Sequence, residues 1–121
     1  MKYETLLIDI ADGVATITLN RPNKKNAMSP KLHEDMTHAL EALRYDDAAR
    51  VLVLTGAGNS FCAGMDLKEF FTELKDKPGE YDRITRLAVE WRGRTLRYYP
   101  KPTIAMINGF CFGGAFSIVE G

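Results

Sequence analysis

Cysteine is scarce in this sequence, the two signs of charge are in balance, and no long apolar run occurs. Cys62 and Cys111 are the two cysteines among 121 residues. They stand far apart, with no secretory signal ahead of them. Reduced, mostly buried thiols in a cytoplasmic protein are therefore expected, rather than a disulfide framework. Sixteen Lys and Arg match sixteen Asp and Glu. Bulk charge thus points to neither nucleic acid nor a membrane surface. Met1-Lys2-Tyr3-Glu4 leads into no hydrophobic stretch long enough for a signal peptide or a bilayer span. Only His33 and His38 represent histidine. Five positions apart on a helical pattern, they project from different faces. They make a poor metal pair and are expected at the exposed surface, so no metal is expected.

What the chain does have is an ordinary globular composition, 45% apolar and 26% charged, and a length suited to one small domain. Thr5–Ile10 and Val14–Asn20 are β-branched, apolar runs around Ala11-Asp12-Gly13, which predicts a hairpin. Arg21-Pro22-Asn23-Lys24-Lys25-Asn26 breaks that pattern. Ser29-Pro30 is a helix start. Leu32, Met36, Ala39, Leu40 and Leu43 then give one apolar face, with an end expected near Arg44–Asp47. Val51–Thr55 reads as a buried parallel strand.

Gly56-Ala57-Gly58 after that strand invites comparison with a dinucleotide fingerprint. Phe61 occupies the place of the third glycine, and the loop runs on through Cys62-Ala63-Gly64 before any helix. Nicotinamide dinucleotide binding is not expected on that pattern. Asp66–Leu74 is helical, Lys75–Gly79 is a polar break, and Glu80–Tyr99 is predicted as one long helix. Its apolar face carries Ile84, Leu87, Ala88, Trp91, Thr95 and Leu96. Its four arginines between Arg83 and Arg94 are expected in solvent. Pro100 and Pro102 end it, and Thr103–Ile107 is the next strand. The chain closes on a glycine turn and a helical pattern that has barely begun by Gly121. It is expected to be the N-terminal part of a longer protein, with a helix-stop glycine at Gly121 as the alternative.

The order is hairpin, helix, strand, helix, helix, strand, helix. That is an α/β arrangement of crossover units, whose ligands collect at the carboxyl ends of the strands. Two glycine-rich loops leave such ends, Gly56–Met65 and Asn108–Gly114. Backbone N–H groups from two loops that converge on one point form an oxyanion hole. Here Ala63-Gly64-Met65-Asp66 and Gly113-Gly114 would supply them, for a thioester carbonyl and its enolate. Either loop alone is better read as a glycine turn at a strand end.

Several ordered motifs extend this reading. They are Leu19-Asn20-Arg21-Pro22, Lys25-Asn26-Ala27-Met28, Leu52-Val53-Leu54-Thr55-Gly56 and Phe61-Cys62-Ala63-Gly64-Met65-Asp66-Leu67. Lys101-Pro102-Thr103-Ile104-Ala105 and Asn108-Gly109 with Gly113-Gly114 follow. Together they resemble the crotonase (enoyl-CoA hydratase/isomerase) superfamily over all 121 residues, and within it the hydroxycinnamoyl-CoA (feruloyl-CoA) hydratase-lyases. The resemblance implies a crotonase-like ββα spiral fold, incomplete, with residues 1–121 as its N-terminal half.

It also implies residue roles. The N–H groups of Met65 and Gly114 match the oxyanion hole. Lys24, Lys25 and Ala27 match the loop that meets the CoA adenine and phosphates. Ala63, Asp66 and Leu67 match the adenine and pantetheine path. Ser117 stands where simple hydratases carry a catalytic glutamate, and the lyases also have serine there. Phe70 stands where the lyases have a tyrosine that meets the substrate phenol. The second catalytic glutamate would lie beyond Gly121, and Glu120 does not match its position. The implied reaction hydrates a 4-hydroxycinnamoyl-CoA and splits it into a 4-hydroxybenzaldehyde, vanillin in the feruloyl case, and acetyl-CoA. It needs no cofactor beyond the coenzyme A of the substrate. Trimers paired into hexamers are implied as well. The chain alone is expected to bind a thioester without turning it over. The alternatives are an ordinary enoyl-CoA hydratase or isomerase, and a non-catalytic acyl-CoA-binding module.

Overall fold

A computed structural model describes residues 2–121. Strands β1 (Leu6–Ala11) and β2 (Val14–Leu19) pair antiparallel, with Ala11 opposite Val14. The turn between them is therefore the two residues Asp12 and Gly13. Both have positive φ, 53° and 82°, which matches the right-handed twist of the strands it joins. Strand β3 (Val51–Gly56) lies parallel to β2, with Leu19 opposite Gly56. Two further strands, β4 (Ser60–Cys62) and β5 (Thr103–Ala105), follow in sequence. β5 lies parallel to β3 with Ala105 opposite Leu54, and the sheet order is β1-β2-β3-β5. Short β4 pairs in parallel with β6 (Phe110–Cys111) as a separate ribbon. The carboxyl ends of β2, β3 and β5 thus point the same way, and the loops that leave them emerge side by side.

Helix α1 (Pro30–Arg44) crosses from β2 to β3. The Ser29 hydroxyl accepts from the Leu32 N–H at 3.2 Å and caps its first turn. Leu32, Met36, Ala39, Leu40 and Leu43 are buried against Ala15, Ile17 and Leu19 of β2 and Leu52 and Leu54 of β3. At its far end the Lys101 ammonium donates to the carbonyls of Leu43 and, just past the helix, Asp46, a cation where the helix dipole is negative. Truncating any one of these core leucines to alanine costs about 2–5 kcal/mol.

The second crossover differs in detail from the sequence expectation. Helix α2 (Leu67–Leu74) is followed by α3 (Pro78–Glu90), which starts at the proline and not after it. Proline has no N–H to lose and suits the first helical position. The long helix expected to Tyr99 is not uniform. Residues Trp91–Thr95 form a π turn, with Leu96 N–H donating to Trp91 C=O at 3.1 Å. Strand β5 stops at Ala105, two residues short of expectation, because the chain turns toward β6. Helix α4 (Ala115–Glu120) closes the chain.

Two polar residues expected in solvent are inside. His33 is fully buried, on the same face of α1 as Met36 and Leu40. Arg92 is 9% exposed, in the π turn. His38 is exposed, as the spacing predicts. The two cysteines, distant in sequence, are register partners on β4 and β6. Both are free thiols, Cys62 buried and Cys111 half-buried.

Candidate functional site

The site lies where the three strand-end loops meet. The first loop holds Pro22–Lys24 in a 3-10 turn, and then Lys25 and Asn26 at φ 51° and 57°. Asparagine tolerates that conformation better than most residues. Asn26 is also fully buried, and its side chain ties two loops together. Its Oδ1 accepts from the Arg21 N–H at 2.8 Å. Its Nδ2 donates to Ala57 C=O at 3.0 Å and Ser60 C=O at 2.8 Å. Arg21 makes the second tie. Its guanidinium reaches Asp66 at 3.2 Å, Glu69 at 2.8 Å and the carbonyl of Ala27. Asp66 in turn caps α2, accepting from the Glu69 N–H.

These ties lay residues 25–28 alongside 63–66. Ala63 N–H donates to Lys25 C=O, Met28 N–H to Gly64 C=O at 2.7 Å, and Asp66 N–H to Met28 C=O at 2.9 Å. Met28 and Met65 are thereby a parallel bridge in which Met28 uses both its backbone groups. In such a pairing the N–H of Met65 points away from Met28. The sequence-predicted coenzyme residues fall together along this seam. Lys24 and Lys25 are exposed beside it, Ala27 and Ala63 are half-buried within it, and Asp66 and exposed Leu67 lie at its end. Lys25 Nζ stands 4.5 Å above the Phe110 ring and links the seam to the third loop.

The third loop is locked by Asn108. Its side chain accepts from Gly56 N–H at 3.0 Å and donates to Gly56 C=O at 2.8 Å. Phe112 N–H donates to Cys62 C=O at 3.0 Å, bringing Gly113-Gly114 against Gly64. Gly64 has φ +91°, and a Cβ there would stand 3.0 Å from Phe112 O and 3.5 Å from Gly114 N. A Cβ on Gly114 would stand 3.7 Å from Met65 Cγ. Among the described residues, neither the Met65 N–H nor the Gly114 N–H donates to any protein group. Two unpartnered backbone donors from different loops therefore sit on neighbouring residues.

Behind them lie two groups that the sequence reading missed. His33 Nδ1 accepts from Trp91 Nε1–H at 2.9 Å, so its proton resides on Nε2, which is 3.3 Å from Met65 Sδ. Burial, and then the charge of Arg92, push the His33 pKa down to about 3, so the ring is neutral near pH 7. Arg92 Nε donates to Ala88 C=O at 2.7 Å and Nη1 to Gly114 C=O at 3.0 Å. Burial lowers the pKa of its guanidinium. A sequence signal for His33 existed, since it falls in step with Met36 and Leu40 on the apolar stripe. None existed for Arg92.

The remaining two sequence candidates lie apart from each other. Phe70 is 4% exposed, edge-on to His33 at 5.8 Å and to Tyr81 at 5.9 Å, packed with Leu74, Ile84 and Met65. Ser117 is half-buried in a cleft of about 100 Å³ with Arg92, Gly93, Arg97, Glu120 and Gly121. Burial pushes the Cys62 thiol up to about 11, so it is a protonated thiol at neutral pH. Among the described residues, no three His, Cys, Asp or Glu side chains gather as a metal site. Among the described residues, no helix is long and apolar enough to cross a membrane.

Comparison with known proteins places this arrangement. The enoyl-CoA hydratase/isomerase family model matches residues 9–119. The chain is 53% identical over 117 residues to a hydroxycinnamoyl-CoA hydratase-lyase of Pseudomonas fluorescens, covering 96% of this chain and 42% of that protein. An enoyl-CoA hydratase/isomerase of Xanthobacter autotrophicus is similar in structure, with a TM-score of 0.83 and 32% identity over 97% of this chain and 43% of its own. An enoyl-CoA hydratase of Shewanella pealeana gives a TM-score of 0.86 at 27% identity, over 97% of this chain and 44% of its own. The chain thus spans less than half the length of each of these relatives.

Proposed function

The chain belongs to the enoyl-CoA hydratase/isomerase (crotonase) family, and from that premise we propose that it forms the thioester-holding part of a hydroxycinnamoyl-CoA hydratase-lyase. The observation that carries this reading is the pair of free N–H groups on Met65 and Gly114, on neighbouring residues of two loops. The 53% identity to a hydratase-lyase supports the choice of reaction.

Feruloyl-CoA carries its thioester carbonyl two bonds from the reacting β-carbon. Two N–H donors on that oxygen polarise the conjugated system and make the β-carbon open to water. Water adds there, and a proton at the α-carbon gives the β-hydroxyacyl thioester. In the second step the β-hydroxyl loses its proton and the Cα–Cβ bond breaks. The carbonyl carbon of the aldehyde forms, and the bond pair passes into a thioester enolate. Protonation of that enolate at the α-carbon yields acetyl-CoA. The negative charge falls on one oxygen in both steps, so one hole serves both. Removing one such donor costs about 3 kcal/mol of barrier. No metal or redox cofactor enters these steps.

In this proposal Lys24 and Lys25 meet the CoA phosphates as exposed cations. Ala27, Ala63, Asp66 and Leu67 line the path of the adenine and pantetheine. Ser117 and Phe70 belong to the acyl side. Phe70 has no hydroxyl to offer a phenol. The proposal further includes a trimeric or hexameric assembly in the cytoplasm.

A second reading is an ordinary enoyl-CoA hydratase or isomerase, favoured by the apolar ring of Phe70 and by the names of the structural relatives. Feeding feruloyl-CoA to the protein expressed from its complete reading frame decides between them. The proposal expects vanillin and acetyl-CoA in equal amounts. A stable β-hydroxyacyl-CoA with no aldehyde would overturn it in favour of the hydratase.

A further inference from the structure

We propose that the π turn Trp91–Thr95 is a single brace that sets both oxyanion donors, with Trp91, His33 and Arg92 as positioning residues. The inference rests on the thioester reading above and adds residues that it does not contain. Trp91 and Arg92 are consecutive, so their side chains leave the turn in different directions. Trp91 reaches the first donor's residue through His33. Its indole N–H donates to His33 Nδ1 at 2.9 Å, and His33 Nε2 meets Met65 Sδ at 3.3 Å. Arg92 reaches the second directly, from Nη1 to the carbonyl of Gly114 at 3.0 Å.

Each contact adds to what the loops already have. Gly113 and Gly114 carry no side chain, Gly113 has φ +54°, and the Gly114 carbonyl also accepts from the Ser117 N–H at 3.1 Å. The guanidinium holds the Gly114 carbonyl and so limits rotation of that residue. A Cβ on Gly114 would stand 2.7 Å from Nη1, so a side chain there would displace the guanidinium. Met65 is gripped at its side chain by His33 and at its neighbours by Met28. Trp91 is 1% exposed and Arg92 9%. Arg92 pairs with no carboxylate among the described residues, so its charge is held for backbone carbonyls. Trp91 and Arg92 open the π turn, and such turns recur at functional sites.

The test is the carbonyl carbon resonance of [1-13C]dihydroferuloyl-CoA, whose saturated chain cannot be hydrated, bound to the protein, with affinity for CoA itself measured in parallel. Donors on the carbonyl move the resonance downfield. His33→Phe and Arg92→Met should each lose most of that shift, with CoA affinity unchanged within error. His33→Gln, whose amide can both accept and donate, should recover part of it. Circular dichroism checks folding. If either variant does not fold, Trp91→Phe carries the test, since it removes only the indole N–H and should lose part of the shift. A full shift in the folded variants overturns the brace and leaves the thioester reading standing. No shift in the unmodified protein overturns that reading and the brace with it.

Discussion

A Cβ placed on Gly64 would stand 3.5 Å from the backbone nitrogen of Gly114, although the two residues lie on separate loops. The same Cβ would stand 3.0 Å from Phe112 O, and Gly64 has φ +91°. Gly64→Ala should therefore cost about 1–2 kcal/mol of stability through left-handed strain. It should also lower turnover of a CoA thioester by about 10²-fold, since the methyl group displaces the donors beside it. Thermal melts and steady-state kinetics check the two effects.

Asn26→Ala should destabilise the chain by about 1–3 kcal/mol, because two carbonyls and one N–H lose a buried partner. Denaturant titration measures it. Asn26→Asp should cost at least as much, since its carboxylate cannot donate to Ala57 and Ser60.

His33 gives stability a pH dependence. Its folded pKa lies near 3 and its ordinary value is 6.5, so the unfolded chain binds the proton first. The neutral ring's contribution is complete above pH 6.5 and is lost as pH falls toward 3, at up to about 1.4 kcal/mol per pH unit. Chemical denaturation between pH 7 and pH 4 should show stability falling with pH. His33→Gln should flatten that part of the curve.

The two cysteines should react unequally. Cys62 is buried, with its thiol pushed up to about 11, while Cys111 is half-buried. A thiol-reactive reagent at neutral pH should label one group readily and the second only on unfolding. Equal, fast labelling of both would contradict the packing of β4.

The 121-residue chain should bind a hydrophobic dye and self-associate at high concentration. Ile104, Met106, Ile107, Phe110, Phe112, Phe116 and Val119 are all exposed within one short stretch. Patches of that kind drive association. Sedimentation across a concentration series checks it.

Much of the frame was legible because its signals are local. Asp12-Gly13 announces the hairpin, Ser29-Pro30 the start of α1, and the glycines of 56–64 and 109–114 the loops at strand ends. What was not legible depends on distance. His33 falls in step with Met36 and Leu40 on the apolar stripe, but its partner Trp91 lies 58 positions on and nothing local announces it. Arg92 looks like one of four solvated arginines until Gly114, 22 positions on, is seen accepting from it. The π turn leaves no mark in a pattern read at a period of 3.6. The bridge from Met28 to Met65 turns the Met65 N–H outward, and no residue near either announces it. That the loops of Gly64 and Gly114 converge was an expectation from their place at strand ends; the contacts that hold them together were not readable.

The most direct test of the account is a crystal structure of the protein with a non-hydrolysable feruloyl-CoA analogue that keeps its carbonyl. The account predicts the carbonyl oxygen about 2.7–3.1 Å from both the Met65 and the Gly114 nitrogens. An analogue bound with its carbonyl away from either nitrogen would contradict it.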